Sequence, residues 1–478
     1  MIYASRTSPS QPGWVCASSA SSNAARLPCG WRRRSASSPR SACGSAWKTR
    51  VAEERRALSV WCFGQLAGEL TDTGRALVFR YDATWLDGGL PPLSQSLPLD
   101  GAFSSEAAGA FFGGLLPEGA PRELLARRLG VSSGNDFGLL AAVGGDTAGA
   151  ISVQPLGQPP PHGGDVEWLD DDALIQLIDE LPTRPMHADE DGEYRLSLAG
   201  AQDKLPVVVG DGGRIGLTKG QTPSTHILKT PIERLDDTVI NEAFCLTLAH
   251  AMGIDAATAT PHRVDERDFL LVERYDRRTD DDNNVTRLHQ EDFCQALGIP
   301  TQRKYQAEGG PALTDCFALL RTATAVPAPE IIKLLDDIAL NFLIGNHDAH
   351  GKNYSLLYLP ENAHAVLAPA YDVISTFAYH RKHNLTRKMA MSIGGEYRPD
   401  YLQPRHLART LAETGLGAAA ARRRLLAHAN AAPRLARDVR TDFANSGWDA
   451  PVLDRVITLV DARAAMLEGM AAPPSATK

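Results

Sequence analysis

Asn346-His347-Asp348-Ala349-His350-Gly351-Lys352-Asn353 decides how this chain of 478 residues is read. The segment before it, residues 330–344, sets Ile331, Leu334, Leu335, Ile338 and Phe342 at the spacing of one helix face. A helix is predicted there, closed by Gly345 in the left-handed conformation that often ends helices. The loop itself gathers one Asp, two His, one Lys and two Asn. Beyond it, residues 354–359 and 363–367 read as a hairpin about a Pro360-Glu361-Asn362 turn. That hairpin delivers Asp372 within Ala370-Tyr371-Asp372-Val373.

Asp348 and Asn353 stand five apart, the separation in the protein-kinase catalytic loop H-R-D-x-x-x-x-N. Asp372 then falls where the second metal-binding Asp of a kinase belongs. Phosphoryl transfer passes through a loose transition state, so catalysis is mainly positioning and charge neutralisation. Asp348 would orient the attacking hydroxyl and accept its proton late. Asn353 and Asp372 would hold Mg²⁺, which prefers hard oxygen ligands. The plain alternative is a polar helix-to-strand turn, which Asp, Asn and Gly favour anyway. D-x-x-x-x-N alone carries little weight; the amphipathic helix before it and the hairpin ending in Asp tip the reading towards phosphotransfer.

Composition is that of a globular protein, 43% hydrophobic and 22% charged. No uninterrupted apolar run is long enough to span a bilayer, which argues against a membrane protein. The net charge is −8, yet residues 1–50 carry eight basic residues and no Asp or Glu, so the remainder is strongly acidic. Bulk charge of that sign does not bind nucleic acid, and a DNA role would need a local patch or a partner. Seven cysteines without a C-x-x-C pair argue against a disulfide framework or a zinc site and suit a reducing cytoplasm.

Residues 1–57, Ser-, Ala- and Arg-rich with Cys16, Cys29 and Cys43, have the composition of a transit peptide; the plainer expectation is a disordered extension or a misplaced start. Residues 58–154 read as an N-terminal α+β subdomain. It has strands at 60–70 and 77–81 about a Thr71-Asp72-Thr73-Gly74 turn, helices at 111–116 and 121–129, and a Gly-rich turn, 144–150, into a strand at 151–153. Residues 155–193 read as a linker with one short acidic helix, 168–181. Residues 194–278 alternate strands at 194–198, 205–209, 214–217 and 225–230 with a helix at 239–252 and a strand at 268–272. Asp236-Asp237-Thr238 would cap that helix and Gly253 end it. Ile240, Phe244, Leu248 and Met252 form its buried face, and Glu242 lies off that stripe. No Walker A motif occurs, which disfavours a P-loop enzyme. Strand Lys, helix Glu, strand, connector is instead the order of a kinase N-lobe and hinge: Lys229 would contact the ATP phosphates and Glu242 would hold Lys229 by an ion pair. A snorkelling lysine and a solvated glutamate are the plain alternatives. Residues 279–470 read as a helical C-lobe bearing the catalytic loop, with breaks at Gly415-Leu416-Gly417, Pro433 and Gly447, and 471–478 as a tail. Arg422-Arg423-Arg424 reads as a solvated helix face rather than a nucleic-acid patch.

The ordered set Arg195-Leu196-Ser197-Leu198-Ala199-Gly200-Ala201-Gln202-Asp203-Lys204, His226-Ile227-Leu228-Lys229, Asn241-Glu242, Val272-Glu273-Arg274-Tyr275-Asp276-Arg277, His289-Gln290-Glu291-Asp292, residues 345–353 and Tyr371-Asp372-Val373 resembles the HipA-type serine/threonine kinase toxins. Leu93-Ser94-Gln95-Ser96-Leu97-Pro98-Leu99 and Gly149-Ala150 resemble that family's N-terminal subdomain. The likeness covers about residues 58–470. It implies an α+β, bilobal protein-kinase-like fold with an N-terminal α+β subdomain and an all-helical C-terminal lobe, using ATP and Mg²⁺. It also implies a cytoplasmic toxin paired with a HipB-like helix-turn-helix antitoxin dimer that carries most of the DNA contact, and protein targets in translation, notably aminoacyl-tRNA synthetases.

Carried over residue by residue, the resemblance makes Asp348 the catalytic Asp, Asn353 and Asp372 the metal ligands and Lys229 the ATP lysine. The backbone of Glu273 and Tyr275 would read adenine. His350 and Lys352 would lie beside the phosphates, Gly200, Ala201, Gln202, Asp203 and Lys204 would belong to the phosphate-covering loop, and Ser197 would be the autophosphorylation site. Two departures from general protein kinases stand out: His347 replaces the Arg of H-R-D, and Asp372-Val373-Ile374 replaces D-F-G. A small-molecule or lipid kinase, and a non-catalytic corepressor working with a DNA-binding antitoxin, are the competing readings.

Overall fold

The computed structural model describes residues 56–160, 163–187, 195–220, 222–281, 284–359, 364–383 and 385–472. The N-terminal extension up to residue 55, the Pro360-Glu361-Asn362 turn, Tyr194, parts of the 155–193 linker and most of the 471–478 tail lie outside the described residues.

The N-terminal subdomain is an antiparallel four-stranded sheet in the order Leu77–Tyr81, Gln65–Asp72, Ala57–Cys62, Ile151–Pro155. The single strand expected over 60–70 is two strands. They meet in a two-residue turn at Phe63 and Gly64, with φ of 51° and 73°, which brings Cys62 opposite Gln65. Mirror-image turns of this kind match the twist of a hairpin. Helices Ser105–Gly113, Gly119–Arg128 and Asp136–Val143 cover the sheet. Ser104 caps the first through its side chain, so that helix starts earlier and ends sooner than the 111–116 expected; the third was not expected. Val60, Leu70, Phe111, Phe112, Leu140 and Val153 fill the core between sheet and helices.

A second antiparallel sheet of six strands runs Val166–Trp168, Ile215–Thr218, Lys204–Val209, His226–Lys229, Arg267–Glu273, Ala259–Val264. Trp168, expected to open a helix, instead ends the edge strand, where Arg214 lies over its ring; the acidic helix is Asp171–Glu180. The presumed linker thus contributes a strand to the kinase-like lobe. Residues 195–198 join no sheet. Leu196 bridges Asp146 in isolation, and the Ser197 N–H donates to the Asp146 carbonyl. Helix Thr238–Ala251 packs below this sheet. Asp237 occupies its N-cap position with a left-handed backbone, φ 56°, and makes no side-chain cap bond.

The second lobe centres on helix Pro327–Ile344, which packs against Ala418–Asn445 and Pro451–Ala471, themselves packed on one another. One continuous apolar core joins Ala243, Phe244 and Leu248 of the upper helix to Leu340, Leu343, Ala436, Val456 and Val460. The lobe is all-helical only near its C-terminal end: His289–Asp292, Ser355–Tyr358 and Ala365–Leu367 form a small antiparallel sheet that includes the expected hairpin. Pro433 does not break its helix but lies inside Ala418–Asn445. The fully buried Ala429, Ala432 and Ala436 hold that segment against its neighbours, and their packing outweighs the roughly 3 kcal/mol that an interior proline costs. Arg424 of the triple-Arg run is bound through two nitrogens to Asp336 at 2.6 Å each, and Arg422 donates to the Met470 carbonyl at 2.9 Å, so two of the three serve the fold. No helix among the described residues is long and apolar enough to cross a membrane.

Candidate active site

Gly345 ends helix Pro327–Ile344 at φ 70°. A Cβ there would fall 2.3 Å from Leu459, so helix Pro451–Ala471 presses on the start of the loop. In the same region Arg463, 2% exposed, lies 5.3 Å from the centres of both the Phe342 and Phe377 rings. Asn346 then ties the loop together: its side chain accepts from the Asp348 N–H at 3.1 Å and donates to Asn341 at 2.9 Å and to the Asp372 carbonyl at 3.4 Å. His347 is buried against Phe377, 4.7 Å between ring centres, and burial pushes its pKa down to about 3. A neutral, enclosed imidazole cannot grip a phosphorylated activation segment as the Arg of H-R-D does. Asp348 is raised above the usual carboxylate range by burial, with the hydroxyl of Tyr305, donating to Oδ1 at 2.7 Å, working against that rise. Its Oδ2 makes no hydrogen bond within the described protein.

Lys229 lies on strand His226–Lys229, and its Nζ sits 2.6 Å from Oε1 of Glu242 on the helix below. The same ammonium bonds Oδ1 of Asp372. Burial works against the charge on Lys229, but the carboxylates of Asp372 and Glu242 hold it protonated. For Asp372, burial favours the neutral acid and the Lys229 and Lys204 ammoniums outweigh it, so the carboxyl is held low. Asp372 adopts φ 54°, a left-handed backbone rare for residues other than Gly and Asn and often found at functional sites. Its side chain remains 39% exposed, and Oδ2 makes no hydrogen bond within the described protein. Asn353 also spends no side-chain hydrogen bond there, and the two neighbourhoods are joined where the Tyr371 hydroxyl donates to the Lys352 carbonyl at 2.7 Å. A carboxylate oxygen and an amide oxygen left free in this way fit Mg²⁺, which takes few protein ligands and completes its shell with phosphate and water. No cluster of three or more His, Cys, Asp or Glu suited to a metal occurs among the described residues.

Lys204 is the direct cross-strand partner of Lys229 and equally buried. Burial lowers its pKa, opposed chiefly by Asp372, which puts a second ammonium near the same carboxylate. The loop before it bends at Gly200, φ 111°, whose carbonyl accepts from the Glu118 N–H at 2.8 Å. Gln202 is anchored to the Thr230 carbonyl at 2.9 Å, and Asp203 is raised by burial. Ser197 is fully enclosed, its hydroxyl donating to the Leu115 carbonyl at 2.7 Å. At the connector, the Tyr275 N–H has no hydrogen-bond acceptor among the described residues. The connector rests on a buried lattice. Asp276 accepts from Arg274 at 2.8 Å and from the Gly149 N–H at 2.7 Å. Asp146 accepts from Arg277 at 2.8 Å and Ser224 at 2.8 Å. Burial alone would raise Asp146; Arg287, Arg277 and Arg274 bring it down to about 2.

Of the two residues expected beside the phosphates, His350 is buried, kept neutral by that burial, and edge-on to Tyr305 at 5.1 Å. Lys352 is buried and paired: its Nζ binds Asp292 at 2.6 Å and the Gly114 carbonyl at 3.3 Å. Three residues absent from the sequence reading connect to Asp348: Tyr305, bonded to it directly, its neighbour Lys304, and Glu118, whose Oε2 lies 2.6 Å from the Lys304 Nζ. No local spacing marks them, since Glu118 and Lys304 are 186 positions apart.

The family model described as HipA-like C-terminal domain matches residues 196–439, and the HipA N-terminal domain matches residues 58–154. A putative kinase of Sinorhizobium fredii, Y4mE, is 48% identical over 347 residues, 71% of this chain and 81% of its own. The serine/threonine-protein kinase toxin HipA of Shewanella oneidensis is 34% identical over 364 residues, covering 73% of this chain and 82% of the relative. The solved complex of Shewanella oneidensis HipA with HipB and operator DNA has a chain that superposes at a TM-score of 0.72 and 29% identity, across 87% of this chain and 96% of that one.

Proposed function

Because the chain belongs to the HipA family of serine/threonine kinases, we propose that it is the toxin of a toxin–antitoxin pair, transferring the γ-phosphoryl group of ATP to a serine or threonine of a translation protein. An aminoacyl-tRNA synthetase is the favoured target, the cytoplasm the favoured compartment, and a HipB-like helix-turn-helix dimer the partner through which DNA is met. The observation that carries the reading is the Lys229 ammonium shared between Glu242 and Asp372, with Asp348 tied to the Asp372 backbone through Asn346.

Lys229 and Lys204 neutralise the phosphates, and the backbone of Glu273 and Tyr275 reads adenine. Asp348 aims the substrate hydroxyl through its free Oδ2. The hydroxyl oxygen bonds to the γ-phosphorus, the bond to the β–γ bridging oxygen breaks, ADP leaves, and the hydroxyl proton passes to the Asp348 carboxylate. A divalent ion held by Asp372 and Asn353 would supply charge neutralisation at the phosphates. Asp348 need not be a strong base, because the loose transition state develops little negative charge on the attacking oxygen.

Ser197 is the proposed self-inactivation site. In the closed loop its hydroxyl is spent on the Leu115 carbonyl in a space without room for a phosphate. Phosphorylation adds about −1.5 to −2 charges, so the modified residue must leave that seat and take the phosphate-covering loop with it. Incubating the purified full chain with γ-labelled ATP and Mg²⁺ tests the reading. Label on Ser197, absent from Asp348→Asn, is expected; no transfer from the wild type to itself or to any protein of a cell extract would refute it.

A further inference from the structure

A line of polar contacts runs from the phosphate-covering loop to the catalytic Asp by way of the N-terminal subdomain. The Gly200 carbonyl accepts from the Glu118 N–H at 2.8 Å. The Glu118 carboxylate, 8% exposed, takes the Lys304 ammonium at 2.6 Å through Oε2, while Oε1 stands 3.9 Å from the Lys352 ammonium without a hydrogen bond. The Lys304 carbonyl accepts from the Gly351 N–H at 3.3 Å, inside the catalytic loop. The next residue, Tyr305, donates its hydroxyl to Asp348 Oδ1 at 2.7 Å. Gln306 completes the pinning: its side chain accepts from the Ser392 N–H at 2.7 Å.

We infer that Tyr305 is a positioning residue for Asp348 and that Glu118 supplies its anchor, so the N-terminal subdomain helps to aim the catalytic carboxylate. The inference rests on the kinase reading of Asp348. Two geometric facts favour it over a purely structural role. The Tyr305 hydroxyl occupies one carboxylate oxygen and leaves the other without a hydrogen bond from the described residues, which fixes both the rotamer of Asp348 and the oxygen left for the substrate. Glu118 also divides its contacts: its backbone holds the phosphate-covering loop, and its carboxylate holds the segment that carries Tyr305. Opening of the loop at Gly200 therefore loosens the residue that anchors the aim of Asp348. A carboxylate free to swing presents its hydroxyl-accepting oxygen in the wrong place for most of its time, and small losses of alignment cost rate rather than substrate affinity.

Tyr305→Phe removes one oxygen and keeps the ring against His350. It should lower kcat for transfer of label from γ-labelled ATP about 10- to 100-fold, the range spanned by a lost hydrogen bond to a charged group. The KM for ATP should stay within about twofold. Glu118→Gln keeps the size and backbone bond while releasing Lys304; it should also lower kcat, and the double variant should be no slower than Tyr305→Phe alone to within about twofold, because both act through one chain of contacts. Unchanged kcat in Tyr305→Phe, a KM for ATP that rises in step with the fall in kcat, or losses that multiply in the double variant would each overturn the inference. A wild type that transfers no label overturns the kinase reading itself, and that result is seen before any variant is compared.

Discussion

Replacing Lys229 by Met separates the structural from the catalytic work of the buried triad. Glu242 is 4% exposed, and Lys229 is the cation bonded to it. Without that ammonium the carboxylate has two courses: to stay ionised and unpaired, at about 3–5 kcal/mol, or to take up a proton. Each pH unit above the carboxyl's ordinary value of 4.5 makes protonation cost about 1.4 kcal/mol more. Neutralisation thus costs about 2 kcal/mol at pH 6.0 and about 4 kcal/mol at pH 7.5. The sign follows from linkage: a carboxyl raised in the folded state leaves stability intact below its unfolded value and erodes it as pH climbs towards the raised value. Asp372, 39% exposed, loses the same partner but keeps the Lys204 ammonium near it, so its loss counts as a constant offset. Unfolding entropy of about 2.1 cal/mol/K per residue, over roughly 400 folded residues, converts 1 kcal/mol into about 1 °C. The deficit of Lys229→Met in Tm should therefore be about 2 °C larger at pH 7.5 than at pH 6.0. In Lys229→Met/Glu242→Gln both buried charges are gone and the pH difference should vanish. Both variants should lose at least about 10²-fold in phosphotransfer, since neither restores the cation at the phosphates. Thermal unfolding followed by near-ultraviolet circular dichroism at the two pH values reads the first effect. An equal deficit at both, or a double variant as pH-dependent as the single, refutes the assignment of Lys229 as the partner on which buried Glu242 depends.

Asp348→Asn should lower transfer of labelled phosphate by about 10²–10⁴ without lowering Tm, because burial already strains the charge it removes. Fully phosphorylating Ser197 should abolish ATP binding measured by calorimetry, whereas Ser197→Ala should keep ATP affinity and lose only the Leu115 hydrogen bond, about 1 kcal/mol; tight ATP binding by the phosphorylated form would sink the switch. His289, pushed down from 6.5 to about 4 by burial and bonded through Nε2 to the Leu93 carbonyl at 2.7 Å, binds its proton more readily when unfolded. It should take up to about 3 kcal/mol from stability as pH falls from 6.5 to 4, and His289→Gln should flatten that acid limb of a denaturant-midpoint series.

What the sequence exposes are contacts of short range or regular period. The stripe from Ile331 to Phe342 and the left-handed Gly345 follow from helix geometry, and Lys229, Glu242, Asp348 and Asp372 sit at separations that a strand, a helix and a loop impose. Glu118, Lys304 and Tyr305 escape because each is an ordinary residue until the N-terminal subdomain folds against the catalytic loop. The hairpin at Phe63 escapes for another reason: an aromatic side chain argues for continuing a strand, and only cross-strand pairing of Cys62 with Gln65 forces the turn. Pro433 misleads in the opposite direction, since a local breaking signal yields to close packing of the alanines around it. Lys352 is legible as a motif position, but its buried pairing with Asp292, 60 positions away, is not.

The pressure of Leu459 on Gly345, and of Arg463 between Phe342 and Phe377, has a bearing on the birth of the molecule. Ribosomes make Asp348 roughly a hundred residues before they make the helix that seats its loop, a gap of about 5–20 s at ordinary elongation rates. During that gap the nascent chain carries Asp348 and its neighbours without the brace that holds their loop in place. A kinase of the proposed kind would then come into force only after its own synthesis had passed the last structural helix. That delay would leave time for the proposed antitoxin to meet each newborn copy before it acts.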